Sequence, residues 1–153
     1  MSTDMSAKED AAPALSRDEL VARLRGEFPE INRVLARYDI EKVWHKGSRL
    51  RLHASEDLLR PGGTVSGPVI MALADFAMYV AVLASIGWVP LAVTTNLTIN
   101  FLRKPQKRDL LAKARLIKLG KRLAVGEVDI SSDGEEELAA HVTATYSIPP
   151  DRR

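Results

Sequence analysis

The 153-residue chain contains no cysteine, which excludes a disulfide framework, a thiolate nucleophile and a thiolate metal site. Aromatic residues make up only 5% of it, which argues against the base-stacking surfaces of proteins that bind single-stranded nucleic acid. Its three histidines, His45, His53 and His141, do not cluster and show no metal-ligand spacing. A P-loop, a GxGxxG motif after a strand and a GxSxG elbow are also missing. We therefore expect neither a metal nor a separate cofactor.

What remains is an ordinary globular composition, with 46% hydrophobic and 27% charged residues. The N-terminal stretch MSTDMSAKEDAAPALS has neither an apolar core nor a cleavage pattern, so we expect no signal peptide and a cytoplasmic location. The predicted organisation is a disordered tail over residues 1–14, a helical segment over 15–38, the main domain over 39–148 and a C-terminal tail over 149–153.

One carboxylate, Asp75, interrupts an otherwise apolar run over residues 69–86. Pro68 suits the first turn of a helix and Gly87 suits its end, so the run is predicted to be a helix that is buried on all sides. Three interpretations of the acid compete. The helix could span a membrane, but a central Asp is costly there and no basic cluster flanks it. Alternatively, Asp75 forms hydrogen bonds inside a core or interface, or it faces a cleft and acts on a ligand.

The rest of the chain predicts an α+β fold. Ser16 and Glu19 form a capping-box pattern before two short helices, or one helix kinked at Pro29. Alternating apolar residues after Asp39 predict a hairpin that turns near Lys46, Gly47 and Ser48. Strand-like stretches follow the central helix at 92–103, 110–119, 123–131 and 137–148. A curved antiparallel sheet wrapped around the long central helix is the economical arrangement. Pairing in a dimer is one way to protect the edges of such a sheet.

Four stretches carry a resemblance to a known family: GGTVSGPVIMALADFAM, LAVTTNLTINFLRKP, KLGKRLAVGEVDI and AAHVTATYSI. In this order they resemble the hotdog-fold acyl-CoA thioesterases of the phenylacetate-degradation (PaaI-like) type, over about residues 39–148. The resemblance implies hydrolysis of an acyl-CoA thioester at a dimer interface, in a homodimer or a homotetramer. Coenzyme A would enter only as part of the substrate.

The resemblance also implies roles for individual residues. Asp75 matches the family's general base or nucleophile, and Gly67 matches the glycine whose backbone N–H binds the thioester oxygen. A helix N-terminus can stabilise oxyanion charge, and an acid two turns further along could address the same carbonyl carbon or the water that attacks it. Thr94 matches the hydroxyl residue that positions water, typically from the partner subunit, and Thr95 is the adjacent alternative. Met78 and Tyr79 are either core residues or lining of the acyl pocket.

Two positions depart from the family pattern. The family usually has a His-Gly-Gly triplet where this chain has Ser66, Gly67 and Pro68. It often has an asparagine facing the thioester where this chain has Arg60. These changes alter the polar surroundings of the thioester and leave open a non-catalytic acyl-CoA binder or sensor. The absence of histidine between His53 and His141 counts against the hydratases and dehydratases that share the fold.

Basic residues are concentrated between Arg103 and Arg122. This stretch contains nine lysines and arginines but a single acid, Asp109. They form a solvated strand face, a polynucleotide-binding surface or a site for a phosphorylated small molecule. In hotdog thioesterases such residues meet the phosphates of coenzyme A, which gives a role to Arg103, Lys104, Lys121 and Arg122. We expect an acyl-CoA ligand with an apolar acyl or aryl chain, and neither nucleic acid nor a membrane as partner.

Overall fold

The computed structural model describes residues 8–150, so the extreme ends of both predicted tails lie outside the described residues. A long helix packs in the concave face of one six-stranded antiparallel sheet of order β1-β2-β4-β5-β6-β3. The elements are α1 (Arg17–Glu27), α2 (Ile31–Leu35), β1 (Tyr38–Trp44), β2 (Gly47–Leu52), a 3-10 turn (Glu56–Leu58), α3 (Gly67–Ile86), β3 (Val93–Phe101), β4 (Leu110–Leu119), β5 (Leu123–Ser132) and β6 (Leu138–Ser147). This arrangement confirms the predicted α+β hotdog fold with its N-terminal helical extension.

The central helix α3 has the predicted limits. Pro68 lies in its first turn, and Gly87 ends it with a φ of 98° while donating its N–H to Leu83 O at 2.9 Å. The helix contacts all six strands. A Cβ added to Gly126 of β5 would lie 2.7 Å from the sulfur of Met78, so helix and sheet approach closely there. Met78 is therefore a fully buried core residue.

Length and composition would allow α3 to cross a membrane, since its mean hydropathy reaches 2.2. In the folded chain, however, 61% of that apolar window is buried against protein. Its apolar character is that of a core helix, because the sheet covers most of its surface. Among residues 8–150 it is the one helix with these properties.

The N-terminal residues are more ordered than predicted. Ser16 caps α1 by accepting the N–H of Glu19 at 3.2 Å, and the chain breaks at Pro29 into two separate helices. Before α1, Ala14 donates its N–H to Ala84 O at 2.7 Å, and Ala11 O accepts from His45 at 3.0 Å. The predicted disordered tail is thus wrong for residues 8–14, because backbone hydrogen bonds attach them to α3 and to the β1–β2 turn.

The strands match the prediction to within two residues at each end. The first hairpin turns at His45 and Lys46, slightly before the predicted position, with Lys46 at a φ of 72°. Gly47 then pairs with Trp44, and a Cβ on Gly47 would lie 2.1 Å from the indole. Only glycine leaves room for that ring.

Among residues 8–150, strand β3 forms one edge of the sheet and pairs with β6 alone. Large apolar side chains around it are unusually exposed, by 40 to 69%. They are Met71, Leu91, Val93, Phe101 and Leu102. An unpaired edge flanked by exposed apolar side chains is the feature that favours pairing with another strand.

Candidate active site

The carboxylate of Asp75 is held by two hydroxyl groups. Its Oδ1 accepts a short hydrogen bond from Thr94 Oγ1 and a second from Tyr146 Oη at 2.7 Å. The Tyr146 hydroxyl also lies 2.9 Å from the backbone oxygen of Asp75. Both hydroxyls therefore fix the acid to the end of two neighbouring strands.

This cluster follows from the register of the sheet. Thr94 and Tyr146 are direct partners across the antiparallel pair β3–β6, so their side chains lie on the same face. That face is the concave one, where α3 packs. Asp75 occupies the middle of α3 and meets the pair from the helix side. Three separate elements thus converge on one carboxylate.

The second carboxylate oxygen has a different environment. Within residues 8–150, no hydrogen bond reaches Asp75 Oδ2, and no part-buried side chain has a fully buried polar atom without a partner. Oδ2 is therefore accessible from the pocket beside it. An ionised carboxylate with one oxygen held and one free can accept a proton or attack a carbonyl carbon.

The pocket beside Asp75 has a volume of about 560 Å³ and is mainly apolar. This size is in the usual range for small-molecule sites. Its lining comes from α2, α3, the start of β1, the start of β3 and the end of β6: Ile31, Arg33, Val34, Arg37, Tyr38, Ala72, Asp75, Phe76, Tyr79, Ala92, Val93, Thr94 and Tyr146. Of the predicted site residues, Asp75, Thr94 and Tyr79 therefore meet in one cavity.

Two of the tyrosines in this pocket are neutral hydrogen-bond donors. Burial raises the pKa of Tyr79 to about 12, and its hydroxyl donates to Pro90 O at 3.0 Å. Burial raises the pKa of Tyr146 still further, and its hydrogen bond to Asp75 acts in the same direction. Both phenols stay protonated at neutral pH, so Tyr146 always has a proton to give to the carboxylate.

Gly67 lies at a distance from this cluster. As the first residue of α3 its N–H has no acceptor within the helix. It is half-buried, and a Cβ there would lie 3.3 Å from the ring of Phe101. Gly67 precedes Asp75 by eight residues, which is about 12 Å along a helix. Within one chain the two residues are thus about two helical turns apart, and the expectation that both address one carbonyl stays a prediction.

Other predicted binding residues lie at the Gly67 end of β3. Ser66 precedes α3, and its side chain makes no capping hydrogen bond. Arg60 is exposed in a turn that the Gly63 N–H closes onto Arg60 O at 3.0 Å. Arg103 forms an ion pair with Glu137, and Lys104 is exposed. None of these side chains lines the Asp75 pocket.

The remaining predicted residues lie near the opposite end of β3, where that strand begins. Lys121 and Arg122 are exposed in the turn before β5. The next residue, Leu123, pairs with Ser147, which in turn pairs with Val93 at the pocket. Thr95 lies at a β-bulge, is exposed and donates to Thr145 O at 3.2 Å. Thr95 thus does not line the pocket, and Thr94 is the hydroxyl that faces Asp75.

Sequence reasoning missed Tyr146 and the contribution of α2 to the pocket. A signal for Tyr146 was present, because a tyrosine on an apolar strand needs a partner for its hydroxyl. The histidines take no part in the site. His141 lies 3.0 Å from Glu127, and His53 lies 3.7 Å from Asp109. Within residues 8–150 no three His, Asp or Glu side chains converge as a metal site would require.

Known proteins are similar to this chain in sequence and in fold. The family model described as "Thioesterase superfamily" matches residues 62–139. A protein of Saccharolobus solfataricus named as a putative esterase is 34% identical, over 78% of this chain and 83% of its own length. A crystal structure from Silicibacter sp. TM1040, named as a putative thioesterase, is 47% identical with a TM-score of 0.80, covering 90% of this chain and 94% of that one.

The fold is also that of the Escherichia coli PaaI protein from the phenylacetic acid degradation operon. That structure has a TM-score of 0.72 at 21% identity, covering 84% of this chain and 90% of its own. The matched segment contains α3, β3, β4 and β5, and thus both Gly67 and Asp75. The chain therefore belongs to the thioesterase superfamily and has the hotdog fold.

Proposed function

We propose that this protein hydrolyses an acyl-CoA thioester to a free acid and coenzyme A, in the cytoplasm. The observation that carries the proposal is the state of Asp75. One of its oxygens is held by Thr94 and Tyr146, while the other is open to an apolar pocket. An acid fixed in this way has a defined direction of attack, which is what a general base needs.

The reaction balances with the residues of this chain. Asp75 Oδ2 takes a proton from water as the water oxygen bonds to the thioester carbonyl carbon. The tetrahedral oxyanion then collapses, the C–S bond breaks, and Asp75 returns the proton to the departing sulfur. Thr94 gives its one proton to Asp75 but keeps lone pairs that can accept from the attacking water.

A second copy of the chain is proposed to supply the oxyanion donor. If the free edges of two β3 strands pair antiparallel about Leu97, residue 101 of one copy lies opposite residue 93 of the other. Phe101 touches Gly67, whereas Val93 and Thr94 lie beside Asp75. Such pairing brings Gly67 of the second copy to the Asp75 pocket, since paired strands are only about 4.8 Å apart.

The same pairing gives the basic residues a shared role. Arg103 and Lys104 follow β3, so in the dimer they come to the end of the sheet where Lys121 and Arg122 of the other copy lie. The four cations would hold the phosphates of coenzyme A while the acyl chain enters the apolar pocket. A Streptococcus mutans protein with this fold has been solved bound to acetyl CoA, at 20% identity and a TM-score of 0.68, covering 76% of this chain and 91% of that one.

The second candidate function is acyl-CoA binding without hydrolysis. It is favoured by one observation, the Ser66-Gly67-Pro68 sequence at the start of α3. Pro68 has no N–H and Ser66 makes no capping bond, so the start of α3 offers the N–H of Gly67 but has no donor at the position after it. A weakened oxyanion site slows thioester hydrolysis more than it weakens ligand binding.

Thiol release from a panel of acyl-CoAs tests the proposal. We expect wild type to release coenzyme A and Asp75→Asn to lose at least about 100-fold in kcat, while it stays folded. The matched control is Asp18→Asn, since Asp18 is an exposed acid on α1. Turnover by Asp75→Asn within a few fold of wild type would refute the mechanism. Silence across the panel, with acyl-CoA still raising the melting temperature, would favour the binding protein.

A further inference from the structure

We propose that the short helix α2 sets the longest acyl chain that the Asp75 pocket accepts, with Val34 as the principal determinant. The inference rests on the proposed function, because it assigns the pocket to the acyl chain. It gives the N-terminal helical segment a role in specificity. The ligand class is a coenzyme A thioester with an apolar acyl chain.

The side chains of α2 form one wall of the pocket. Ile31 and Val34 are three residues apart, so they lie on the same face of the helix, and both line the cavity. Ile31 also packs against the hydrophobic core, whereas Val34 is half-buried without contributing to that core. The position of Val34 is therefore explained by the pocket alone. Tyr38 continues the wall, with its ring 5.3 Å from that of Phe76.

This wall is fixed at both ends. After α2, Arg37 forms an ion pair with Asp57 at 2.5 Å, and its backbone oxygen accepts from His53 at 2.9 Å. Before α2, the indole of Trp88 donates to Glu27 at 2.8 Å and lies 6.4 Å from the ring of Phe28. Because protein on both sides anchors the helix, a longer acyl chain cannot displace it without breaking these contacts.

A fixed wall predicts a sharp limit on chain length. One methylene more or less on a substrate that fills an apolar pocket changes transition-state binding by about 10- to 200-fold. Val34→Ala removes two methyl-sized carbons from the wall, so the limit moves to longer chains. Val34→Phe fills the space, so the longest accepted chain loses at least about 10-fold in affinity, whereas the shortest is unaffected.

Binding and hydrolysis are measured separately to test this. Calorimetric binding uses S-alkyl-CoA thioethers, which have no carbonyl to attack, in an even series from two to sixteen carbons. The same lengths are then assayed as acyl-CoA thioesters. The matched control is Ala36→Phe, which introduces the same aromatic side chain at an exposed position after α2.

The expected result is a length limit that rises in Val34→Ala, falls in Val34→Phe and does not move in Ala36→Phe. The same limit on chain length in wild type and all three variants would overturn the role of α2 and leave the proposed hydrolysis standing. A limit that shifts for the thioethers, with no thioester cleaved, would support the role of α2 and refute the hydrolysis. Absence of thioether binding at every length would overturn both.

Discussion

Removing one oxygen atom, in Tyr146→Phe, tests how Asp75 is held. The Tyr146 hydroxyl donates to the carboxylate at 2.7 Å and lies 2.9 Å from the backbone oxygen of the same residue. Phenylalanine keeps the ring and leaves no void larger than a hydroxyl. A hydrogen bond to a charged group contributes about 1.5–3 kcal/mol, so the free energy of unfolding should fall by that amount.

The matched control for stability is Tyr79→Phe. Tyr79 is a second buried pocket tyrosine, but its hydroxyl donates to the neutral Pro90 carbonyl at 3.0 Å. A neutral hydrogen bond contributes only about 0.5–1.5 kcal/mol, so Tyr79→Phe should destabilise the protein less than Tyr146→Phe does. Urea unfolding at neutral pH measures both values. Equal losses would show that the charge on Asp75 does not strengthen its hydrogen bond to Tyr146.

Kinetics separate positioning from stability. After Tyr146→Phe only Thr94 holds the carboxylate, and misplacement of a catalytic group by about 1 Å can cost 100-fold, so kcat should fall roughly 10- to 100-fold with little change in KM. The double variant with Thr94→Val should lose less than the product of the single losses, because both hydroxyls act on the same oxygen. A Tyr146→Phe enzyme with wild-type kcat and stability would refute this account of the site.

Three further predictions concern stability and assembly. Gly126→Ala should lower the free energy of unfolding by about 1–3 kcal/mol in urea titration, since its Cβ would lie 2.9 Å from the backbone oxygen of Arg115. Hydrogen bonds from Arg115 and a β6 histidine lower the pKa of Glu127 below its ordinary 4.5. Its stabilising effect is therefore present above pH 4.5 and lost on acidification, so Glu127→Gln should reduce stability at pH 7 and flatten the acid limb of pH-dependent melting. If the proposed dimer forms through β3, Leu102→Glu should convert it to monomer and abolish turnover. Ile117→Glu, at an equally exposed apolar residue on β4, should leave the sedimentation coefficient unchanged.

Much of the fold was predictable because the residues that begin and end each helix or strand are close to it in the sequence. Pro68 and Gly87 bracket α3, and Asp75 stands out in the sequence as the single acid within an apolar run. The strands were predictable to within two residues because their apolar alternation and breaks are equally local. The N-terminal tail was not, since residues 8–14 attach through backbone groups. Ala14, for example, donates its N–H to Ala84 O, and its side chain gives no sign of that bond.

The site itself was only half predictable. A helix that is apolar all round has no preferred face, so its periodicity could not separate Met78, which faces the sheet, from Tyr79, which lines the pocket. The pairing of Thr94 with Tyr146 depends on a register between strands about fifty residues apart. Alternation showed that Thr94 and Thr95 face opposite ways, but only the register decides which one meets the acid.

The two carboxylate oxygens of Asp75 differ in their hydrogen bonds. This difference helps to decide whether the residue serves stability or acts on a ligand. A carboxylate placed in an apolar helix for stability alone costs free energy unless hydrogen bonds satisfy all of its lone pairs. Here two hydroxyls converge on Oδ1, and one of them reaches the backbone oxygen as well, while Oδ2 receives none from residues 8–150. A purely structural arrangement would have spread the two donors over both oxygens. Concentrating them on one oxygen leaves the other free towards the pocket, which is the arrangement that the proposed general base needs.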